Sequence, residues 1–232
     1  GQTNFLNEDF TFKITSTEGA SDTTFTYTVD DGDNSDVAFV NLETIPCFVA
    51  GTLILTPNGE RRIEEIAPGD LVITHDDGPQ PVRWAGKRTI PARGDLAPIL
   101  IEPNALGTHG RLFVSPQHRV LLRDTLSELL FGEPEVHVAA KHLVQDRTVR
   151  RSPGGFVTYV HLLFDDHQVV FSEGLATESF LPGPQTTECF EKDVLEEICT
   201  IFPELNPLTG EGYSPAGRRT LRSFEAQVLL SA

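Results

Sequence analysis

An all-β domain that begins at residue 47 and is followed by a helical extension is the fold class this sequence predicts, on three observations. Short runs of β-forming residues recur from residue 47 to about residue 183, separated by turn signals. Two of those signals, Asn58-Gly59 and Asp77-Gly78, supply the positive φ of tight hairpin turns, so the connections read as local and antiparallel. Beyond Pro184 the apolar residues recur at spacings of three and four, the period of a helix.

Residues 1–46 read as a separate upstream piece. They carry nine acidic side chains and one basic one, Lys13, about half of the net charge of −16 in a fifth of the 232 residues. Within them "TTFTYTVDDGDNSDVAFVNLETI" alternates β-formers around an Asp/Gly/Asn cluster, which predicts a hairpin. One hairpin does not bury a core by itself. The stretch resembles the last two strands of the cadherin-like or Ig-like repeats of large bacterial surface proteins. Asp30, Asp31, Asp33 and Asp36 offer the oxygens a calcium ion takes, against the alternative of a solvated turn.

From residue 47 the strands follow in order: "TLILT", "LVITH", "PVRWAG", "RLFVS", "RVLL", "VHVAA", "RTVRR", "FVTYVHLLF" and "HQVVFS". "RRIEEIAPGDLV" and "VHVAAKHLVQDRTV" resemble each other, each with apolar residues at helix-like spacing beside a strand, a hint of internal duplication. In residues 184–232, "ECFEKDVLEEICTIF" and "SPAGRRTLRSFEAQVLL" predict two helices, the second capped by Ser214 with Pro215 at its first position.

Charge and composition exclude several function classes. An acidic chain without a Lys/Arg cluster repels nucleic acid and anionic membranes, and no run is long and apolar enough to span a bilayer. "GQTNFLNEDF" lacks the features of a signal peptide, and the absence of Met suggests a piece of a longer polypeptide. Three cysteines, Cys47, Cys189 and Cys199, make neither a zinc pattern nor a disulfide framework. Cys189 and Cys199 either pair or are buried singly. No cofactor is implied.

Cys47 follows a proline and opens the β region. "CFVAGTLILTPNGERRIEEIAPGDLVIT" resembles the first block of Hint domains, the self-processing modules of Hedgehog C-terminal regions, inteins and bacterial intein-like proteins. The match is the first-position cysteine, Gly51-Thr52, a strand, a Gly turn, and the I-x-x-I-x-x-G-D-x-V pattern ending at Val72. "LFVSPQHRVLL" resembles the family's Thr-x-x-His motif, with Ser115 in the Thr position and His118 as the histidine. "YVHLLFDDHQVVFSEGLATESFLPG" is similar to the closing strands. The resemblance spans residues 47 to about 183, closest to Hint modules of secreted bacterial proteins. It implies a horseshoe of short antiparallel strands with pseudo-twofold symmetry, and an extracellular or cell-surface setting.

The implied chemistry is self-cleavage at Pro46–Cys47. An amide is a poor electrophile with a poor leaving group, so breaking it takes a nucleophile within reach and a proton for the amine. The Cys47 thiol can attack the carbonyl just before it, forming a five-membered ring that collapses to a thioester. His118 is the expected proton donor to the Cys47 nitrogen, with Ser115 bonding the same amide or orienting the imidazole. His161 falls where inteins carry an Asp that helps activate the cysteine, making it a second proton-transfer group. His167, Asp165 and Asp166 are weaker candidates, and His75, His109, His137 and His142 have no motif support.

Inteins end in His-Asn before Cys, Ser or Thr. Asn206, the one asparagine beyond His167, sits in "LNPL" without that His, so splicing is not expected. The substrate is then the chain's own upstream segment, and the acceptor water, an amine or a thiol. Two alternatives stand beside this reading. One is a Hint-like interaction module that has lost activity, favoured by Ser115 for Thr and by Pro46 at the junction. The other is a cysteine hydrolase acting on other proteins through Cys47 and His118.

Overall fold

The computed structural model describes residues 46–145, 147–183 and 192–231, and of the upstream segment the backbone of two strands. The chain divides into two compact units, Gly1–Leu42 and Glu43–Ala232. In the first, β1 (Thr24–Asp30) pairs antiparallel with β2 (Ser35–Asn41), from Thr24 opposite Asn41 to Asp30 opposite Ser35. Asp31, Asp33 and the side chains of Asp30 and Asp36, the calcium candidates, lie outside the described residues.

The second unit is built from two antiparallel sheets. β3 (Phe48–Val49), β8 (Trp84–Pro91), β9 (Ile99–Ile101), β10 (Leu112–Val114), β13 (Val149–Arg151) and β14 (Phe156–Leu163) form a six-stranded sheet ordered β13-β9-β10-β3-β14-β8. β4 (Leu53–Thr56), β5 (Gly59–Arg62), β11 (Arg119–Arg123), β12 (Glu135–Ala139), β15 (Val169–Ser172) and β16 (Leu175–Glu178) run in the order β12-β11-β16-β15-β4-β5. β6 (Leu71–Thr74) joins β15, and β7 (Gly78–Pro81) pairs with β6. The strands alternate because one face of each is buried: in β4, Ile54 and Thr56 are inside while Leu53 and Leu55 are half-buried. Ile54, Ile63, Val72, Val114, Val120, Val136, Leu162 and Val170 fill the main core.

The helix-like spacing of the two similar segments resolves into single 3₁₀ turns, Ile63–Glu65 and Ala140–His142, each too short to continue between strands. A short helix that the strand pattern hid is α1 (Thr125–Phe131), capped by the Asp124 carboxylate on Leu126 N–H and ended by Gly132 at φ 73°. In the extension, α2 (Lys192–Ile201) lies where a helix is expected. The second helix is shorter than expected: α3 spans Ser223–Ser231. Ser214 does not cap it, because its Oγ accepts the His167 N–H at 2.6 Å. Ahead of α3, Arg219–Leu221 bridge the outer edge of β12, with His137 N–H to Arg219 O and Leu221 N–H to His137 O, both 2.8 Å. That covers an edge strand whose groups would otherwise be open. Leu221, Ala226 and Leu229 join the main core, while Ile198 and Leu205 enter a second cluster that contains Cys47.

Candidate functional site

Strand register assembles the site. Phe48 on β3 faces Val114 of β10 on one side and Val160 of β14 on the other. In antiparallel pairs the next residues, Cys47, Ser115 and His161, are then cross-strand neighbours, and alternation turns Cys47 and His161 to the face opposite Phe48. Cys47 is 4% exposed, His161 3% and Ser115 0%.

Both ends of the Pro46–Cys47 peptide meet side chains. The Cys47 N–H donates to Ser115 Oγ at 3.0 Å, and the Pro46 carbonyl oxygen lies 3.1 Å from His161 Nδ1. An oxygen there can only accept, so Nδ1 carries the proton and the lone pair of Nε2 faces Cys47 Sγ, 3.5 Å away. One imidazole thus touches the thiol and the carbonyl oxygen together. Burial pushes His161 down to about 4, while the Pro46 bond pulls it partly back up, so the ring is neutral at neutral pH.

An aromatic wall holds that ring. Phe180 stands edge-on to His161 at 5.4 Å between centroids, and Trp84 lies 6.4 Å away at a 30° tilt. Gly86, opposite His161 in the β8–β14 register, makes room for the Trp84 ring, since a Cβ there would lie 2.1 Å from it. Tyr159, Leu163, Ile198 and Leu205 complete the apolar surroundings of Cys47.

His118 follows Ser115 in a turn closed by His118 N–H to Ser115 O at 3.1 Å. Its ring packs edge-on against Phe48 at 4.4 Å, and neither ring nitrogen has a hydrogen-bond partner among the described residues. Burial first, then the neighbouring His161, Arg119, His137 and His167, holds it well below the usual imidazole value. The structure thus brings Cys47, Ser115 and His161 into direct contact around the peptide, while the His118 ring packs on Phe48 without a hydrogen bond to that peptide.

The remaining candidates lie elsewhere. His167 Nε2 is 3.3 Å from the buried Glu178 carboxylate, with the His137 ring at 5.8 Å. Asp165 pairs with Arg83 at 3.4 Å on the surface, and Asp166 is exposed. His75 bonds Asp76, and His109 bonds its own turn through Leu106 N–H. Cys199 is a free, half-buried thiol on α2, whereas Cys189 lies outside the described residues. Among the described residues no group of His, Cys, Asp and Glu is set to hold a metal ion, and no helix is long and apolar enough to cross a membrane. Sequence reasoning missed Trp84, Phe180 and Gly86. The lone Trp of the chain is the one signal that pointed to them.

Chemically, the arrangement polarises one amide at oxygen, holds its nitrogen against a hydroxyl, and sets a thiol and its proton acceptor beside the same carbonyl.

Among solved structures the chain is similar to the bacterial intein-like domain from Clostridium thermocellum, at 18% identity over 59% of this chain and 99% of that one, with a TM-score of 0.44. It is similar also to the gp41-1 intein (13% identity, 58% of this chain, 98% of that one, TM-score 0.38) and the MchDnaB-1 intein (16%, 57%, 98% and 0.38). No curated protein matches it. The family described as Hint domain matches residues 46–184, more than half of the chain, and the chain therefore belongs to the Hint domain family of self-processing modules.

Proposed function

We propose that this protein cleaves itself at Pro46–Cys47 by an N-to-S acyl shift. The observation that carries the reading is His161, which contacts Cys47 Sγ through Nε2 and the Pro46 carbonyl oxygen through Nδ1. The thiol gives its proton to Nε2 as Sγ bonds to the carbonyl carbon, and the carbonyl electron pair moves to oxygen. The resulting imidazolium faces that oxyanion with Nδ1–H, so the base of the first step is also its electrostatic support. The carbonyl re-forms as the C–N bond breaks. The electron pair leaves on the Cys47 nitrogen, which takes up one proton, so the proton lost by sulfur ends on nitrogen and no atom is gained.

Ser115 holds that nitrogen throughout, its oxygen accepting the amide N–H and its own O–H turning to the amine as it departs. His118, which has His161 among its neighbours, takes the proton from the His161 imidazolium and carries it to that nitrogen. An imidazole desolvated as His118 is becomes a strong acid once protonated, and hands a proton on readily. The thioester then passes its acyl group to water, an amine or a thiol, which restores the Cys47 thiol. Burial of Cys47 favours this intramolecular chemistry over attack on a separate protein.

Incubation with a thiol or hydroxylamine, followed by intact mass, tests the reading. A 1–46 fragment and a product beginning at Cys47 are expected, and Cys47→Ala gives neither. Equal cleavage by the mutant at the same junction overturns the assignment of the nucleophile. A second reading, a Hint fold that no longer cleaves, is favoured by Pro46 itself, whose ring fixes φ and favours donation of the Ile45 carbonyl into the electrophilic carbon. A native chain that stays uncut under both nucleophiles supports it.

A further inference from the structure

The imidazole of His118 has a placement problem. Both of its nitrogens lack a hydrogen-bond partner among the described residues, so no polar contact of the ring fixes its direction. The ring is 1% exposed and packs edge-on against Phe48. Its position is set by that packing and by the backbone that carries it, which is bonded at every group: His118 N–H to Ser115 O at 3.1 Å, Ala140 N–H to His118 O at 2.8 Å, and Arg119 N–H to Glu178 Oε1 at 2.8 Å. Two of these acceptors are ordinary main-chain carbonyls. The third is a carboxylate with no solvent exposure.

A buried carboxylate is retained only where its donors compensate the lost hydration. Glu178 has three. Besides the Arg119 amide, Oε2 lies 3.4 Å from Arg119 Nη1 and 3.3 Å from His167 Nε2. It arrives on β16, which pairs with β11 at Val120 opposite Thr177 and with β15 at Val169 opposite Glu178. The side chain thus reaches from β16 to the first residue of β11, where the Ser115–His118 turn ends. His167, on its far side, is anchored in turn by the Ser214 hydroxyl on its main-chain N–H.

We propose that Glu178 is a positioning residue for His118: by accepting the Arg119 amide it fixes the peptide that follows the histidine and so aims the imidazole at the Cys47 nitrogen. This rests on the reading of His118 as the proton carrier. The work is done by an oxygen acceptor at the right reach, and the negative charge is secondary.

The experiment measures thiol-induced release of the 1–46 fragment from the full chain, for Glu178→Ala, Glu178→Gln and Glu178→Asp, each in the native and the His118→Ala background, with circular dichroism as the check on folding. Glu178→Ala is expected to slow release on the order of 10²-fold, the cost of a misplaced catalytic group. In the His118→Ala background the same change costs under about threefold, because the two residues act as one unit. Glu178→Gln keeps the acceptor and stays within about fivefold of the native rate, as a retained hydrogen bond predicts. Glu178→Asp keeps the charge, falls a methylene short of Arg119 N–H, and is as slow as Glu178→Ala.

A folded Glu178→Ala protein with the native rate overturns the proposal. So does an equal slowing in both backgrounds, which marks a general role in the fold. Where Glu178→Ala does not fold, the order of Gln and Asp decides, and a fast Asp with a slow Gln overturns it. If His118→Ala alone cleaves at the native rate while Cys47→Ala does not cleave, the reading of His118 fails and this inference with it. A slow His118→Ala beside a fast Glu178→Ala sinks the inference only.

Discussion

In the six-stranded sheet His161 is held at both nitrogens, by the Pro46 carbonyl oxygen at 3.1 Å and by Cys47 Sγ at 3.5 Å. In the eight-stranded sheet His137 is equally buried, and neither of its nitrogens has a partner among the described residues. Burial lowers both, His161 to about 4 and His137 to about 3, so the two rings share one protonation state at neutral pH. What separates them is direction. A neutral imidazole becomes a base only when its lone pair is aimed at an acidic proton and its other nitrogen is pinned. The β3–β14 register does that for His161, while no such bond forms at His137. Depressed proton affinity marks burial in both places, and only at His161 does it come with contacts to the thiol and the carbonyl oxygen.

Removing the ring that is aimed is expected to have the largest effect. His161→Ala loses the thiol's proton acceptor and the donor to the carbonyl oxygen, and slows fragment release by about 10⁴-fold at neutral pH. The comparison breaks if His161→Ala is folded and less impaired than His118→Ala. Activity in the native chain should be level through neutral pH and fall as pH approaches 4, where His161 gains a proton and its lone pair is lost.

Acid stability probes what the two regions share. The unfolded chain binds a proton at each histidine near pH 6.5, while folded His161 and His137 bind theirs only near about 4 and about 3. Between those limits the unfolded state holds more protons, so stability rises with pH. The contribution is fully present above pH 6.5 and is lost as pH falls, at up to about 1.4 kcal/mol per pH unit for each ring. His118, also depressed by burial, adds in the same sense. Urea midpoints measured from pH 8 to pH 5 should decline. A folded His137→Leu variant should flatten that decline without changing the rate of fragment release, and a slower release would show that His137 is not the bystander this comparison makes it.

Smaller effects refine the site. Ser115→Ala removes the acceptor of the Cys47 amide and is expected to cost about tenfold in rate, near the 1.4 kcal/mol of one hydrogen bond. An unchanged rate would leave the nitrogen's proton to His118 alone. Pro46→Gly is expected to speed thioester formation and thiol release severalfold, since the n→π* donation of ~0.3–0.7 kcal/mol that the ring favours is weakened and the restriction a proline puts on the residue before it is lifted. An equal or slower time course would mean that the grip of His161 on the carbonyl sets the pace.

The sequence by itself determined the all-β class and most strand positions, and it singled out Cys47. Alternating β-formers and Gly turns are local signals, and a cysteine, a Ser-x-x-His and an I-x-x-I-x-x-G-D-x-V pattern are legible wherever they fall. Local signals also placed α2, but they overextended the last helix, because nothing in "SPAGRRTL" shows that its backbone bonds are taken by His137. Short β9 and α1 were invisible for the same reason: three to seven residues carry too little period to read. Only the tertiary structure decided which histidine faces the thiol. Motif position marked His118 for the leading role and left His161 second, whereas Cys47 and His161 stand 114 residues apart and meet through a register that no local pattern encodes. Trp84, Gly86 and Glu178 belong to the same class. Each matters through a neighbour brought in by strand pairing, and strand pairing is settled by which faces the whole chain can bury together.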